Sequence, residues 1–118
     1  MSYTIYVLEN IENGKKYIGQ TTNYKQRKYE HFCALKNNNH QNKLIKKDCK
    51  KYGKDSFIFR ILKNNIRSPR VANFYEKMFI SKYKSNKNGY NLTTGGDSTR
   101  GSYGYYDFIE QKLDEISE

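Results

Sequence analysis

The 118-residue sequence contains no tryptophan, one proline and only two cysteines. No segment approaches the roughly 20 consecutive apolar residues that cross a bilayer, and the N-terminus is too polar for a signal peptide, so we expect no membrane partner. The spacing of Cys33 and Cys49 matches no disulfide framework, which predicts reduced, mostly buried thiols in a reducing compartment. From the length of this sequence we expect one folded domain and no second one.

Acidic side chains are scarce in most of the chain, and basic ones are abundant. Residues 1–96 hold 20 basic and 6 acidic side chains, a net charge of +14, whereas residues 97–118 hold 2 basic and 6 acidic ones, a net charge of −4. A basic body of this kind favours a polyanionic partner. Because 12 tyrosines and 6 phenylalanines are interleaved with the basic residues, nucleic acid is the predicted partner.

Apolar periodicity predicts an α+β domain in the order β-β-α-α-β-α. Asn13-Gly14 between two β-rich runs predicts a hairpin, with which the third strand is expected to pair. Ser68-Pro69 is typical of a helix start. The predicted strands span residues 3–8, 16–18 and 56–62, and the predicted helices span residues 23–36, 42–52 and 68–84. The second helix is predicted to bury a stripe formed by Leu44, Ile45, Cys49 and Tyr52.

The composition changes near the C-terminus, where glycine and serine become frequent from residue 95 onward. We therefore place the folded domain at residues 1–97. Residues 98–118 are predicted to form a linker followed by a short acidic amphipathic helix. That helix would dock on the body, mediate dimerisation or begin a further element, so the oligomeric state is left open.

Two strand tyrosines form the first candidate site. Period-two alternation places Tyr17 and Gly19 on one face of the second strand, and antiparallel pairing would set Tyr6 beside them. Two neighbouring phenols can orient a water molecule or relay its proton, although tyrosine acts as a base only if its pKa, near 10, is lowered. Gly19 would let a phosphate or a helix approach closely. The alternative is that both tyrosines are ordinary strand residues.

Arg27 and His31 form the second candidate, because a spacing of four places both on one face of the first helix. A guanidinium group clamps phosphoryl oxygens, and a histidine beside it can move a proton near neutral pH. The alternative is a solvated helix face on which Arg27 pairs with Glu30 or another acid.

Glu76 is the only acidic residue between Asp55 and Asp97, and its neighbours one helical turn away are apolar. A carboxylate that faces inward in a basic segment needs a cationic partner, either a lysine or arginine or a divalent metal. With so few acids, several carboxylates bridging two metals are improbable, whereas one Mg²⁺ held by Glu76, waters and phosphate oxygens is compatible. A zinc site is disfavoured because no zinc-binding spacing relates His31, Cys33, His40 and Cys49.

Taken together, these residues resemble the GIY-YIG nuclease family. Thr4-Ile5-Tyr6 corresponds to the first triplet and Tyr17-Ile18-Gly19 to the second, and Arg27, His31 and a late helix bearing Glu76 follow in order. The segment from Asn88 to Thr93 is similar to the family's terminal Gly-Tyr-Asn segment, with Asn91 at its polar position. The resemblance covers about residues 3–97. Thr4 replaces the glycine of the first triplet, at a strand position that supplies no functional side chain.

The resemblance implies a small three-stranded antiparallel sheet flanked by helices and an endonuclease that hydrolyses DNA with one divalent ion, Mg²⁺ or Mn²⁺. Glu76 would ligate the metal, and Arg27 would stabilise the charge that develops on the phosphorane. Tyr17 would activate or position the attacking water, with Tyr6 and His31 assisting proton movement. Asn91 would orient the phosphate or groups of the site.

Five lysines on the second helix would hold the DNA backbone without reading sequence: Lys43, Lys46, Lys47, Lys50 and Lys51. The alternative is a non-catalytic, basic nucleic-acid-binding module on the same fold. Among nucleases, the sequence is most similar to phage-type homing enzymes and free-standing relatives. Because homing enzymes carry a separate DNA-binding region, we expect a truncated chain, weak sequence preference, or a partner that supplies targeting. A cytoplasmic or nucleoid-associated location is expected.

Overall fold

The computed structural model describes residues 2–93, which form an α+β domain built on one antiparallel sheet. The predicted fold class is confirmed. The strands are β1 (Tyr3–Asn10), β2 (Lys16–Thr21) and β3 (Phe57–Ile66). The helices are α1 (Tyr24–Lys36), α2 (Lys43–Tyr52), α3 (Pro69–Tyr83) and a short α4 (Ser85–Asn88), and one 3₁₀ turn (Lys54–Ser56) precedes β3. The predicted element order is therefore correct, with this turn and α4 as additions.

The sheet has the strand order β2-β1-β3, so β1 is central and β2 is an edge strand. The hairpin register pairs Tyr6 with Gly19 and Leu8 with Tyr17. As predicted, Tyr6, Tyr17 and Gly19 thus share one face. The opposite face carries Ile5, whose partner across the hairpin is Gln20.

Each face of the sheet has its own apolar core. On one face α3 contributes Ala72 and Ile80, which pack with Ile5, Val7 and Ile18. On the other face α1 and α2 contribute Leu35, Ile45 and Cys49, which pack with Leu8 and Phe57. The helices therefore lie on both sides of the sheet. The edge strand β2 contributes to both cores, through Ile18 on the α3 side and Tyr17 on the side of α1 and α2.

The closing segment covers the outer edge of β2. The Tyr90 backbone N–H donates to the Lys16 carbonyl at 2.9 Å. The Asn91 side chain accepts from the Ile18 N–H at 2.8 Å and donates to the Ile18 carbonyl at 2.9 Å. Because an edge strand otherwise presents unpaired backbone groups, these bonds complete β2 and hold it in place.

The predicted apolar stripe of α2 is wrong at both ends, since Leu44 is 41% exposed and Tyr52 is 36% exposed. Asp48 is buried instead, and its carboxylate accepts hydrogen bonds from the Tyr90 hydroxyl at 2.7 Å and from Asn13 at 3.0 Å. A buried carboxylate needs such donors. Sequence periodicity did not indicate them, because they come from distant parts of the chain.

Within residues 2–93, none of the helices combines the length and the apolar character that crossing a membrane requires. The linker and acidic helix predicted for residues 98–118 lie outside the described residues.

Candidate active site

Tyr6 is fully buried, and its ring lies directly against Gly19 of the edge strand. A Cβ atom at Gly19 would stand 2.5 Å from both Cζ and the hydroxyl oxygen of Tyr6. On its other side the Tyr6 ring stacks on Phe59, with ring centroids 4.7 Å apart. Gly19 is therefore required for the position of Tyr6, which is a more specific reason than the close phosphate or helix approach expected from the sequence.

Replacing Gly19 by alanine is expected to displace the Tyr6 ring and lower the free energy of unfolding by about 1–3 kcal/mol, as overpacking does. Urea denaturation measures this change. Tyr6→Phe is the matched variant: it keeps the ring and removes only the hydroxyl group, so it shows how much stability the hydroxyl alone contributes. An unchanged urea midpoint for Gly19→Ala would show that the Tyr6 ring can shift at no cost.

Tyr17 and His31 complete an aromatic cluster around Tyr6. The ring centroid of Tyr17 lies 6.3 Å from that of Tyr6 and 5.9 Å from that of His31. Burial raises the pKa of Tyr17, and the nearby Glu76 carboxylate raises it further. Burial likewise raises the pKa of Tyr6. Both phenols are therefore neutral near pH 7, and this environment does not make either of them a base.

His31 is hydrogen-bonded to a second histidine, His40, which entered the sequence analysis only as a candidate zinc ligand. His31 Nε2 lies 2.9 Å from the Tyr6 hydroxyl, and His31 Nδ1 lies 2.8 Å from Nε2 of His40. Burial lowers the pKa of His31 to about 4, with further contributions from His40 and Arg27. Burial also lowers the pKa of His40. Both imidazoles are therefore neutral near pH 7.

This pair predicts a loss of stability in mild acid. Because the pKa of His31 is about 4 in the fold and near 6.5 when unfolded, the unfolded chain binds more protons between those values. The contribution of His31 to the free energy of unfolding is thus fully present above about pH 6.5, and it falls by about 2 kcal/mol on acidification to about pH 5. Urea denaturation across this range measures it. The chain has two histidines in total, so a variant with glutamine at both should lose this slope. Equal wild-type stability at both pH values would contradict the prediction.

Arg27 lies at the mouth of this cluster on the first turn of α1. Its positive charge partly offsets the raised pKa values of Tyr6 and Tyr17 and contributes to the lowered pKa of His31, so the guanidinium group is close to all three. Its side chain is 44% exposed, and Nε lies 3.3 Å from the Glu30 carboxylate. An exposed ion pair of this kind is worth little and is readily exchanged for a stronger anion.

Glu76 reaches the same place from the opposite face of the sheet. Its carboxylate accepts a hydrogen bond from the Gln20 side chain at 2.8 Å, and the same amide group donates to Asn73 at 2.6 Å. Because its charge raises the pKa values of Tyr6 and Tyr17, Glu76 is electrostatically coupled to both. The site therefore wraps around the edge strand β2, with Arg27 approaching from one face and Glu76 from the other.

The residues present fit one divalent ion with a largely water and phosphate coordination shell. No group of three or more His, Cys, Asp or Glu side chains that could hold a metal occurs in the part of the chain that the structure describes. Glu76 supplies a carboxylate that is electrostatically coupled to the aromatic cluster. Mg²⁺ often binds through one or two carboxylates, waters and substrate phosphates, so this donor set is compatible with a single Mg²⁺.

The family resemblance predicts Asn91 at the site, and the structure places this residue beside β2. It is 7% exposed, and both polar atoms of its side chain bind the backbone of Ile18, the residue between Tyr17 and Gly19. Asn91 therefore holds the strand that carries these two residues.

The five α2 lysines predicted to hold DNA are all exposed. The helix begins beside the site, because its N-cap Asn42 donates its backbone N–H to His40 at 3.1 Å. A cavity of about 490 Å³ opens there, lined by Arg27, Glu30, His31, Asn39, His40 and Gln41. The cavity lies between α1 and the start of α2.

Three neighbours of the site were not among the sequence candidates: His40 as a partner of His31, and Gln20 and Asn73 beside Glu76. Strand alternation places Gln20 on the opposite face of β2 from Gly19, which is the face that α3 covers. The sequence therefore indicates that Gln20 can contact α3. The contact of His40 with His31 has none, because it depends on the path of the loop between α1 and α2.

Comparison with known proteins gives a consistent result. The sequence profile of the GIY-YIG catalytic domain matches residues 2–91. The structure is similar to that of the catalytic domain of the homing endonuclease I-TevI, at a TM-score of 0.71 and 25% identity, over 77% of this chain and 98% of that one. A mutant of this intron endonuclease domain gives the same score and identity over 80% and 97% of the two chains. No curated protein matches significantly. The chain therefore belongs to the GIY-YIG catalytic-domain family and is a nuclease.

Proposed function

We propose that this nuclease is a divalent-metal-dependent endonuclease that hydrolyses DNA phosphodiester bonds, of the type found in homing enzymes and free-standing mobile-element nucleases. The observation that carries the proposal is the convergence of Tyr6, Tyr17, Arg27, His31 and Glu76 on one edge strand, beside an open cavity. With DNA as its substrate, the enzyme would act in the cytoplasm or at the nucleoid.

Arg27 would bind the scissile phosphate. Its guanidinium group lies beside phenols and an imidazole that are neutral, so these groups do not compete with a phosphate for it. A guanidinium group binds phosphate oxygens through charge-assisted hydrogen bonds. In hydrolysis, the water oxygen bonds to phosphorus, negative charge builds on the phosphorane oxygens, and the bond to the leaving oxygen breaks while the proton of the water passes through solvent to that oxygen. A fixed cation is worth most where such charge develops.

Tyr17 would position the attacking water. Its hydroxyl is at the aromatic cluster, and its raised pKa keeps it a neutral donor and acceptor. Tyr6 is fully buried, so it acts on the substrate through its neighbours. Asn91 and Gly19 would act through the strand backbone, one by holding β2 and the other by admitting the Tyr6 ring.

Glu76 would hold the metal. A bound Mg²⁺ or Mn²⁺ ion would neutralise phosphate charge and assist departure of the leaving oxygen. Gln20 hydrogen bonds to the Glu76 carboxylate and would hold its orientation, as partners of metal ligands commonly do.

The exposed α2 lysines would bind the DNA backbone. Lys46 and Lys50 are exposed and lie one turn apart on one face. Replacing both by glutamine is expected to reduce the slope of log affinity against log salt by about 2, since each phosphate contact contributes about 0.9. A fluorescence-anisotropy titration measures this slope. Glutamine at Lys63 and Lys82, which contact rings on α3, is the matched control. Equal slopes for both variants would place the DNA elsewhere.

The function is tested by incubating the chain with supercoiled plasmid in Mg²⁺ or in EDTA. We expect nicking with Mg²⁺ and none with EDTA. DNA binding without metal-stimulated cutting would support the alternative, a non-catalytic binding module on the same fold. That outcome would contradict the endonuclease proposal for this chain.

A further inference from the structure

We propose that the backbone N–H of Asn42 sets the direction of a hydrogen-bond chain through His40 and His31 to Tyr6, so that His31 is a fixed donor and not a general base. The inference deepens the proposed function and rests on it for its catalytic meaning. Its structural content, the tautomer of each histidine, can be measured separately.

The direction begins at a group that can only donate. The Asn42 N–H lies 3.1 Å from Nδ1 of His40. Nδ1 must therefore present its lone pair, and in a neutral imidazole the proton is then on Nε2. Because Asn42 is the N-cap of α2, this amide has a set position at the start of a helix.

The same logic passes to the next ring. Nε2–H of His40 points at Nδ1 of His31, 2.8 Å away, so that nitrogen must accept. The proton of neutral His31 is then on Nε2, which lies 2.9 Å from the Tyr6 hydroxyl oxygen. Tyr6 therefore accepts from His31, and its own proton is directed away from the histidine.

The charges around the pair keep both rings neutral. A proton added to Nδ1 of His31 would point at the Nε2–H of His40. Arg27 faces His31 from the same helix and disfavours a second proton there, and Lys43 follows Asn42 on α2. Glu30 lines the cavity but is paired with Arg27 at 3.3 Å.

A histidine can act as a base only if one nitrogen has a free lone pair directed at the proton it removes. In His31 the single lone pair is used by His40, and the other nitrogen donates to Tyr6. The sequence assigned His31 and Tyr6 to proton movement. The chain of hydrogen bonds makes both of them, with His40, positioning residues that fix the cluster beside Arg27 and Tyr17.

The tautomers are tested by nuclear magnetic resonance of the ¹⁵N-labelled chain near neutral pH. Two imidazoles are present, and His40→Gln assigns them. We expect both rings to be neutral with the proton on Nε2. An Nδ1–H tautomer or a charged ring at His31 would overturn the proposal, whether or not the protein cuts DNA.

Activity provides the second test. An asparagine at position 40 retains an acceptor where Nδ1 lies but has no donor where Nε2 lies, whereas glutamine restores that donor. We expect His40→Asn to lower kcat for nicking about 10- to 100-fold at unchanged KM, and His40→Gln to recover most of it. Equal losses in both variants would contradict the relay. If the predicted tautomers are found but the wild-type chain does not cut, the proposed function fails and the chain of hydrogen bonds stands.

Discussion

Replacing Glu76 by glutamine is expected to lower metal-dependent nicking by about 100- to 1,000-fold, because removal of one preorganised electrostatic contact has this effect on kcat. Glutamine retains the shape of the side chain and an oxygen that can accept from Gln20, so the fold is preserved. The charge that would hold a divalent ion is lost. The measurement is the initial nicking rate as a function of Mg²⁺ concentration, and DNA affinity without metal should not fall.

The matched control for Glu76 is Glu9→Gln. The Glu9 side chain is 18% exposed and paired with Lys16 and Arg60, so it is also a partly buried carboxylate among cations. It lies four residues along β1 from Ile5, the residue that pairs with Gln20. Nicking by Glu9→Gln should equal that of the wild type. Undiminished cutting by Glu76→Gln would reject Glu76 as the metal ligand.

Replacing Arg27 by alanine is expected to lower kcat by a similar factor of about 100 to 1,000, with little change in DNA affinity. The guanidinium group is more than one-third exposed, and its pair with Glu30 contributes little to folding, so stability should barely change. Arg27→Lys retains the charge but not the two-pronged geometry, and it should recover only part of the rate. Single-turnover nicking with DNA in the presence of Mg²⁺ separates kcat from binding.

Arg60→Ala is the control for Arg27. Its side chain is 46% exposed and pairs with a carboxylate at 2.8 Å, which closely matches Arg27 in exposure and pairing, but it lies on β3. Its kcat should be that of the wild type. A loss of DNA affinity with unchanged kcat in Arg27→Ala would instead make Arg27 a docking residue for the DNA backbone.

The local features of the fold could be predicted because each depends on neighbouring residues. The hairpin at Asn13-Gly14 and the helix start at Ser68-Pro69 are conformational preferences of a few adjacent side chains. Alternation along β2 was sufficient to place Tyr17 and Gly19 together, and the register confirms it. Spacing alone also placed Arg27 and His31 on one helix face.

The rest depends on contacts between segments far apart in the chain. His40 meets His31 because a loop returns to α1, and Asp48 is buried because Tyr90 and Asn13 reach it from the two ends of the domain. The pKa shifts of His31 and Tyr17 follow from burial and from charges on other elements. No pattern along the sequence contains these distances.

The sequence by itself determined the element order, the basic surface and the residue types of the site, because propensity, alternation and charge are local properties. Tertiary structure decided that Glu76 and Arg27 approach one edge strand from opposite faces, and that Asn91 binds the backbone of Ile18. It also decided the direction of the hydrogen bonds that join Asn42 to Tyr6. Hydrogen-bond direction and electrostatic coupling arise only when groups are brought together in space, and folding does this for residues as far apart as Asn10 and Tyr90, which lie 80 positions from each other.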